Sequence, residues 1–267
     1  MKIALTLRRS KLARHILMLF LICALLPLLS LLVFPYHQIT QHHTEQVFRM
    51  LRQNNNVVSF SIYDRLLLLE TEMRFSADHL FDSGSGQVLE PIIKSQQLDI
   101  NHFKALGLIN NQGLQHQISG IFENPPSLEL DRNLPFDNNK AGILVQEIAN
   151  GQPAVFMLVG LEKTEFGNRF LIAEINPDFL WNSGAADGLP PETEICVLDA
   201  SGQFLTTTIP QPRGLLANLD HIQNNSAWGQ FKWNHAGSQY LASSHALFLQ
   251  SRFQVPDWLD TIVQSGT

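Results

Sequence analysis

The chain has 267 residues, 45% of them hydrophobic, and a formal charge of −6. Five of its 18 basic residues precede Ile16, so residues 16–267 carry 13 basic against 24 acidic side chains, a charge of −11. An acidic body of this kind argues against nucleic acid and an anionic membrane surface as main partners. Its size past the first 34 residues, roughly 230, fits one large domain or two small ones.

Residues 1–15 form a basic tail holding Lys2, Arg8, Arg9, Lys11 and Arg14. The nineteen residues Ile16–Phe34 carry no charge. As a helix they would measure about 28 Å, close to the roughly 30 Å hydrocarbon core of a bilayer. A cleaved signal peptide is the alternative, but it has a shorter apolar region and a small-residue cleavage site. This run ends in Val33-Phe34-Pro35-Tyr36 without an A-x-A pattern, so an uncleaved transmembrane helix is expected. Pro27 is tolerable in such a helix when its neighbours satisfy the freed backbone groups. Basic flanks stay cytoplasmic. The expected location is therefore the bacterial inner membrane, with the N-terminus cytoplasmic and residues 36–267 periplasmic or extracellular.

Of the two cysteines, Cys23 lies in the span and Cys196 outside it. No internal disulfide is expected despite the oxidising compartment. Cys196, within Ile195-Cys-Val-Leu198, reads as a small buried hydrophobe.

Apolar residues then recur at Val47, Leu51, Val58, Ile62, Leu66, Leu69, Met73 and Leu80. With polar breaks at Asn54 and Ser76, the steps are three or four throughout, as one helix face requires. No Pro or Gly interrupts 36–83. A long stalk helix over about 37–81 is expected, ended by Ser83-Gly-Ser-Gly86. Its first half would be free or dimeric and its second half packed; an ordinary core helix is the alternative.

A short helix is expected over 87–99, after which the period changes to that of strands. Strands are predicted at 103–109 and 114–118, joined by the Asn110-Asn-Gln-Gly113 turn, and, after a long loop at 119–141, at 142–149, 153–161 and 168–175. Asn176-Pro177 has the chemistry of a helix cap and first turn, placing a short helix at 177–181. The pattern then restarts: strands at 194–198 and 203–208, a helical patch at 215–222, and strands at 229–235, 239–249 and about 258–263. The hairpins beginning at Ala105 and Glu194 share an apolar strand followed by Asn or Asp, two residues and Gly, at an offset of 89 residues. Two copies of one five-stranded antiparallel unit are expected.

Leu108-Ile-Asn-Asn-Gln-Gly113, Arg169-Phe-Leu-Ile-Ala-Glu-Ile175 with Pro177-Asp-Phe-Leu180, Val197-Leu-Asp-Ala-Ser-Gly202, and Val255-Pro-Asp-Trp258 with Ile262-Val263 carry a resemblance. In their order along residues 36–265, the chain resembles the double Cache sensor domain of bacterial transmembrane receptors. The resemblance implies an α+β fold: a transmembrane helix at 16–34, a stalk helix at 36–83, a membrane-distal PAS-like module at 84–183 and a membrane-proximal one at 190–265. It also implies a second span and a cytoplasmic output, such as a diguanylate cyclase, a histidine kinase or a chemoreceptor signalling rod. The chain stops at Thr267, so that output is expected beyond it unless the protein is truncated. A homodimer through the stalk helix and an unidentified small-molecule ligand are the partners implied.

Such domains usually bind their ligand on one face of the first sheet. Members that bind amino acids carry an Asp near the end of the fifth strand, which holds the ligand amine, and an upstream Tyr/Arg/Trp-Tyr motif that holds its carboxylate. Glu174 falls at the Asp position. No Arg-x-Trp-Tyr occurs between 119 and 150, and Arg132 stands alone in a Pro/Asn loop, so amino-acid binding is not carried over. Glu174 is a candidate partner for an amine or cation, with an outward or salt-bridged carboxylate as its alternative. Glu147, Phe156, Leu158 and Arg169 are further candidate lining residues, with core aromatics and solvated charges as theirs.

Ten histidines invite a metal reading. His37, His42 and His43 cluster after the span but lack Cys or acidic ligands at metal spacing; pH sensing is their alternative role. No metal or cofactor is expected. There is no G-x-S-x-G, no H-E-x-x-H and no phosphate loop, and the pairs Glu70/Glu72 and Glu192/Glu194 read as solvated surface, so no enzymatic activity is expected in this segment. A sensory input region is the leading reading. A membrane-anchored envelope binding or scaffold protein without a cytoplasmic effector is the alternative.

Overall fold

The computed structural model describes residues 11–81, 102–110, 113–123, 140–147, 153–161, 169–182, 189, 193–209, 228–235 and 238–266. The expected helices at 87–99 and 215–222 and most of the 119–141 loop lie outside them. Two compact units are distinguished, residues 1–50 and 51–267.

The long helix α1 (Lys11–Phe81) contributes residues 11–50 to the first unit. The side chains described within the apolar run are those at 18–27, and its large members from Met18 to Leu26 are exposed. No helix is long and apolar enough to cross a membrane among the described residues.

In the second unit, the continuation of α1 buries Leu51, Asn55, Val58, Ile62, Leu66, Leu69, Met73 and Ala77. The steps are three or four, so one face of a 3.6-residue helix is covered. The polar break is filled by Asn55, one position beyond the expected Asn54. Five strands follow: β1 (Phe103–Asn110), β2 (Gly113–Gly120), β3 (Ala141–Gln146), β4 (Ala154–Gly160) and β5 (Arg169–Ile175). They pair antiparallel in the order β2-β1-β5-β4-β3. A π-helical turn, Asp178–Asn182, comes next. Asn176 Oδ1 accepts from the Asp178 amide at 3.0 Å, the capping expected of Asn before Pro.

The second set is β6 (Thr193–Leu198), β7 (Phe204–Thr207), β8 (Trp228–His235), β9 (Ser238–Leu247) and β10 (Trp258–Gly266). Its order, β7-β6-β10-β9-β8, repeats the first topology. The β6–β7 turn is built by Asp199, whose carboxylate accepts from the amides of Ser201 at 2.8 Å and Gln203 at 2.9 Å. Gly202 takes φ +83°, which favours glycine. A short helix, α2 (Gln250–Phe253), precedes β10.

Polar groups tie α1 to both modules. Asn55 donates to the Ser243 carbonyl at 2.8 Å, and Ser59 Oγ to Asp260 Oδ2 at 3.1 Å. Arg65 donates to the Leu180 carbonyl at 2.7 Å. Glu70, only 2% exposed, accepts from Arg74 at 2.9 Å and from Arg252 of α2 at 2.8 Å. Glu72 meets His102 at 3.0 Å. Glu70 and Glu72 are therefore fastenings of the helix, not solvated surface. Glu70 stands one helical turn from both Leu66 and Arg74, on the buried stripe, where a carboxylate persists only when paired.

Candidate functional site

Alternation along strands places successive residues on opposite faces. In the first sheet the register sets Glu174 of β5 beside Phe156 of β4 and Ala105 of β1, with Ile172 beside Leu158 and Gly107, and Phe170 beside Ile109. Ala105, Ile109, Phe122, Phe156, Leu158, Phe170 and Ile172 pack as one buried cluster on that face, with Leu114 and Leu144 against it. Phe122 stacks on Phe156 with centroids 6.5 Å apart. Gly107 keeps the cluster close, because a Cβ there would press on Leu114 and Phe122.

Glu174 is the ionisable member of this face in phase with Phe156 and Ile172, and it is 5% exposed. Lys104 Nζ, half-exposed on β1, stands 3.8 Å from Glu174 Oε1. Burial pushes the carboxyl upward; Lys104 pulls it back and the charge on Glu123 adds to the rise.

The structure thus brings Phe156, Leu158 and Glu174 together. Glu147 stands apart: β3 ends at Gln146, and Glu147 is exposed, accepting from Gln203 Nε2 at 2.9 Å. Arg169 opens β5 opposite Asn110, and position 169 is out of phase with 170, 172 and 174; its side chain lies outside the described residues, as do those of His37, His42 and His43. Lys104 and Phe122 escaped the sequence reading. Lys104 would have followed from pairing β1 with β5, which sets the start of one strand beside the end of the other.

Two further features bear on chemistry. Cys196 is buried and free, Cys23 exposed and free, and burial pushes the Cys196 thiol up. No group of three or more His, Cys, Asp or Glu residues could hold a metal ion among the described residues.

No protein-family model matches the chain, and no curated protein matches it in sequence. Solved structures do match in fold. The sensory domain of the Campylobacter jejuni chemoreceptor Tlp3 (CcmL) is 14% identical, covers 87% of this chain and 98% of its own, and superposes with a TM-score of 0.56. The ligand-binding domain of that chemoreceptor in complex with 4-methylisoleucine is 14% identical, covers 83% and 92%, and has a TM-score of 0.55. The extracellular domain of vpHK1S-Z8, a protein assigned as a histidine kinase, is 10% identical, covers 83% and 95%, and has a TM-score of 0.52. The chain has the double Cache fold, two PAS-like modules on one long helix.

Proposed function

We propose that this chain is the extracytoplasmic ligand-sensing input region of a membrane signal-transduction receptor. The observation that carries the reading is Glu174, a buried carboxylate set into the apolar face of the first sheet and paired, among the described residues, with Lys104 at 3.8 Å. A small primary amine fits that face: its ammonium would replace Lys104 at Glu174, and its carbon body would lie along Phe156, Leu158 and Ile172. Charge-assisted hydrogen bonds of this type are about twice as strong as neutral ones. The structural neighbour solved with 4-methylisoleucine binds a molecule that includes an amine. Arg169 and Glu147 belong to the module but are not assigned contacts.

The apolar run Ile16–Phe34 serves as the membrane span, with the basic tail cytoplasmic and residues 36–267 periplasmic. Its exposed Leu19, Phe20, Ile22 and Leu26 suit lipid contact. The output, a diguanylate cyclase or a histidine kinase, would follow a second span. Ligand binding would bias the position of α1, which Glu70, Glu72 and Arg65 couple to both modules, and so shift a two-state membrane element. A second copy would pair along α1 through the exposed Val57, Phe60 and Leu68, which line a groove of about 500 Å³. Phe60→Glu is expected to leave the full chain monomeric in sedimentation; a dimer that survives removes this interface.

The test is a thermal-shift screen of the full chain against amines, organic acids, amino acids and purines, since a ligand that binds only the native state raises its melting temperature. Amines should give the shift and Glu174→Gln should remove it. A flat screen, or an amine shift that survives in Glu174→Gln, overturns the reading. Amine affinity should also fall as pH drops through the raised Glu174 pKa, because the protonated acid offers no charge.

A further inference from the structure

The second sheet repeats the first in topology but not in filling. The Asp260 side chain points to α1, where Ser59 meets its carboxylate, so the residues one step out of phase on β10 and their register partners face away from the helix. The middle row on that outer face runs Thr207–Cys196–Thr261–Ser244–Gly229 across all five strands. No side chain in it is larger than threonine. In the first sheet the corresponding central strands carry Ile172 and Leu158. Large apolar side chains flank the row: Leu198 and Leu259 on one side, Val263 and Phe231 on the other. Trp233 and Tyr240, packed against the same cluster, stack with centroids 5.0 Å apart.

Small residues alone do not make a site. Here the two at the centre also carry unspent hydrogen-bonding capacity. Thr261 and Ser244 are fully buried, and among the described residues neither Thr261 Oγ1 nor Ser244 Oγ has a hydrogen-bond partner. A buried hydroxyl without a partner costs on the order of 1–3 kcal/mol, so such groups are rare unless something else satisfies them. Adjacent strands place the two side by side, aimed into the low part of an otherwise apolar face.

We propose that the second module has its own small-molecule site on this face, for an uncharged amide or alcohol of a few heavy atoms. Serine and threonine hydroxyls both donate and accept, so together they can hold the carbonyl and the N–H, or the O–H, of one such group. The aliphatic flank and the Trp233–Tyr240 pair would cover its carbon body. Charged ligands fit poorly: an ion set on the fully buried floor of neutral hydroxyls would lose hydration that they do not replace. Glu194, in register with Val263 on the same face, further disfavours an anion. This site is independent of Glu174 and of any ligand on the first sheet.

The experiment is a thermal melt of the full chain carrying Glu174→Gln, which keeps the first-module site silent, titrated with propionamide, propionate and propylamine. Propionamide should raise the melting temperature and the two ions should not. Thr261→Val keeps the β-branched shape and Ser244→Ala removes only an oxygen. Each should weaken the propionamide response by roughly tenfold or more in apparent affinity, the equivalent of one hydrogen bond. Thr261→Val without ligand should melt no lower than its parent, because it removes an unpaired hydroxyl. The proposal fails if propionamide gives no shift, if the shift persists unchanged in both variants, or if only the charged probes bind.

Discussion

Asp260 lies on β10 between Trp258 and Ile262, fully buried against α1. Ser59 donates to its Oδ2 at 3.1 Å, while Oδ1 has no partner among the described residues. Burial lifts its pKa from 3.8 to about 8, against smaller opposing effects of the Ser59 hydroxyl and the Thr261 amide. The unfolded chain therefore releases this proton near pH 4, whereas the folded chain keeps it until about pH 8. Between those values the native state holds one more proton, so stability falls as pH rises. The slope from this group is about 1.4 kcal/mol per pH unit at most, is absent below pH 4 and flattens above pH 8. Asp260→Asn keeps the shape and a neutral polar head, so its own stability should lack that slope. Urea unfolding of the full chain and the variant from pH 5 to 9 measures the difference. The variant should be close to the parent at pH 5 and gain on it steadily to become clearly the more stable at pH 9. Parallel curves, or a parent that gains on the variant with rising pH, would refute a neutral buried carboxyl here.

Glu70→Gln leaves Arg74 and the half-exposed Arg252 facing a neutral amide, and should cost about 1 kcal/mol, because solvent screens the two guanidiniums although the carboxylate itself is buried; an unchanged urea midpoint would show the clamp to be superficial. Gly120 takes φ +67°, and a Cβ there would strike the Lys104 backbone, whereas Gly202 at φ +83° has open space around it. Gly120→Ala should therefore lower the melting temperature well beyond Gly202→Ala, whose cost is backbone strain of about 1 kcal/mol; equal losses would mean the close approach is absent.

Much of this fold was legible because its signals are local. The change from steps of three and four to alternation marks where α1 gives way to strands, and Asn110 to Gly113 and Asp199 to Gly202 have the side chains that tight reversals need. The repeated topology followed from matching those two hairpins. Where the reading missed, the missing information was pairing or an over-simple view of charge. Glu70 sits on the buried stripe of its own helix, but its partner Arg252 is 182 residues away. Asp260 is in phase with Trp258 and Ile262, so alternation already places it inside; only the register reveals the Ser59 that receives it. Arg169 and Glu174 are an odd number of residues apart on one strand, which alone separates their faces. Glu147 falls within an apolar run that continues to Ala149, which predicts a strand residue, whereas β3 stops one residue earlier. The row of small side chains across the second sheet needed all five strands aligned before it could be seen.

The central claim is that a small amine is sensed on the Glu174 face of the first sheet. Hydrogen exchange of the full chain, with and without a saturating amine taken from the thermal-shift screen, tests it most directly, because bound ligand slows local opening where it docks. Added protection should concentrate in 105–109, 154–158 and 170–174 and spread to the α1 residues around Arg65–Glu72 that are tied to this module. Protection confined to other segments, or no change at saturation, would contradict the account.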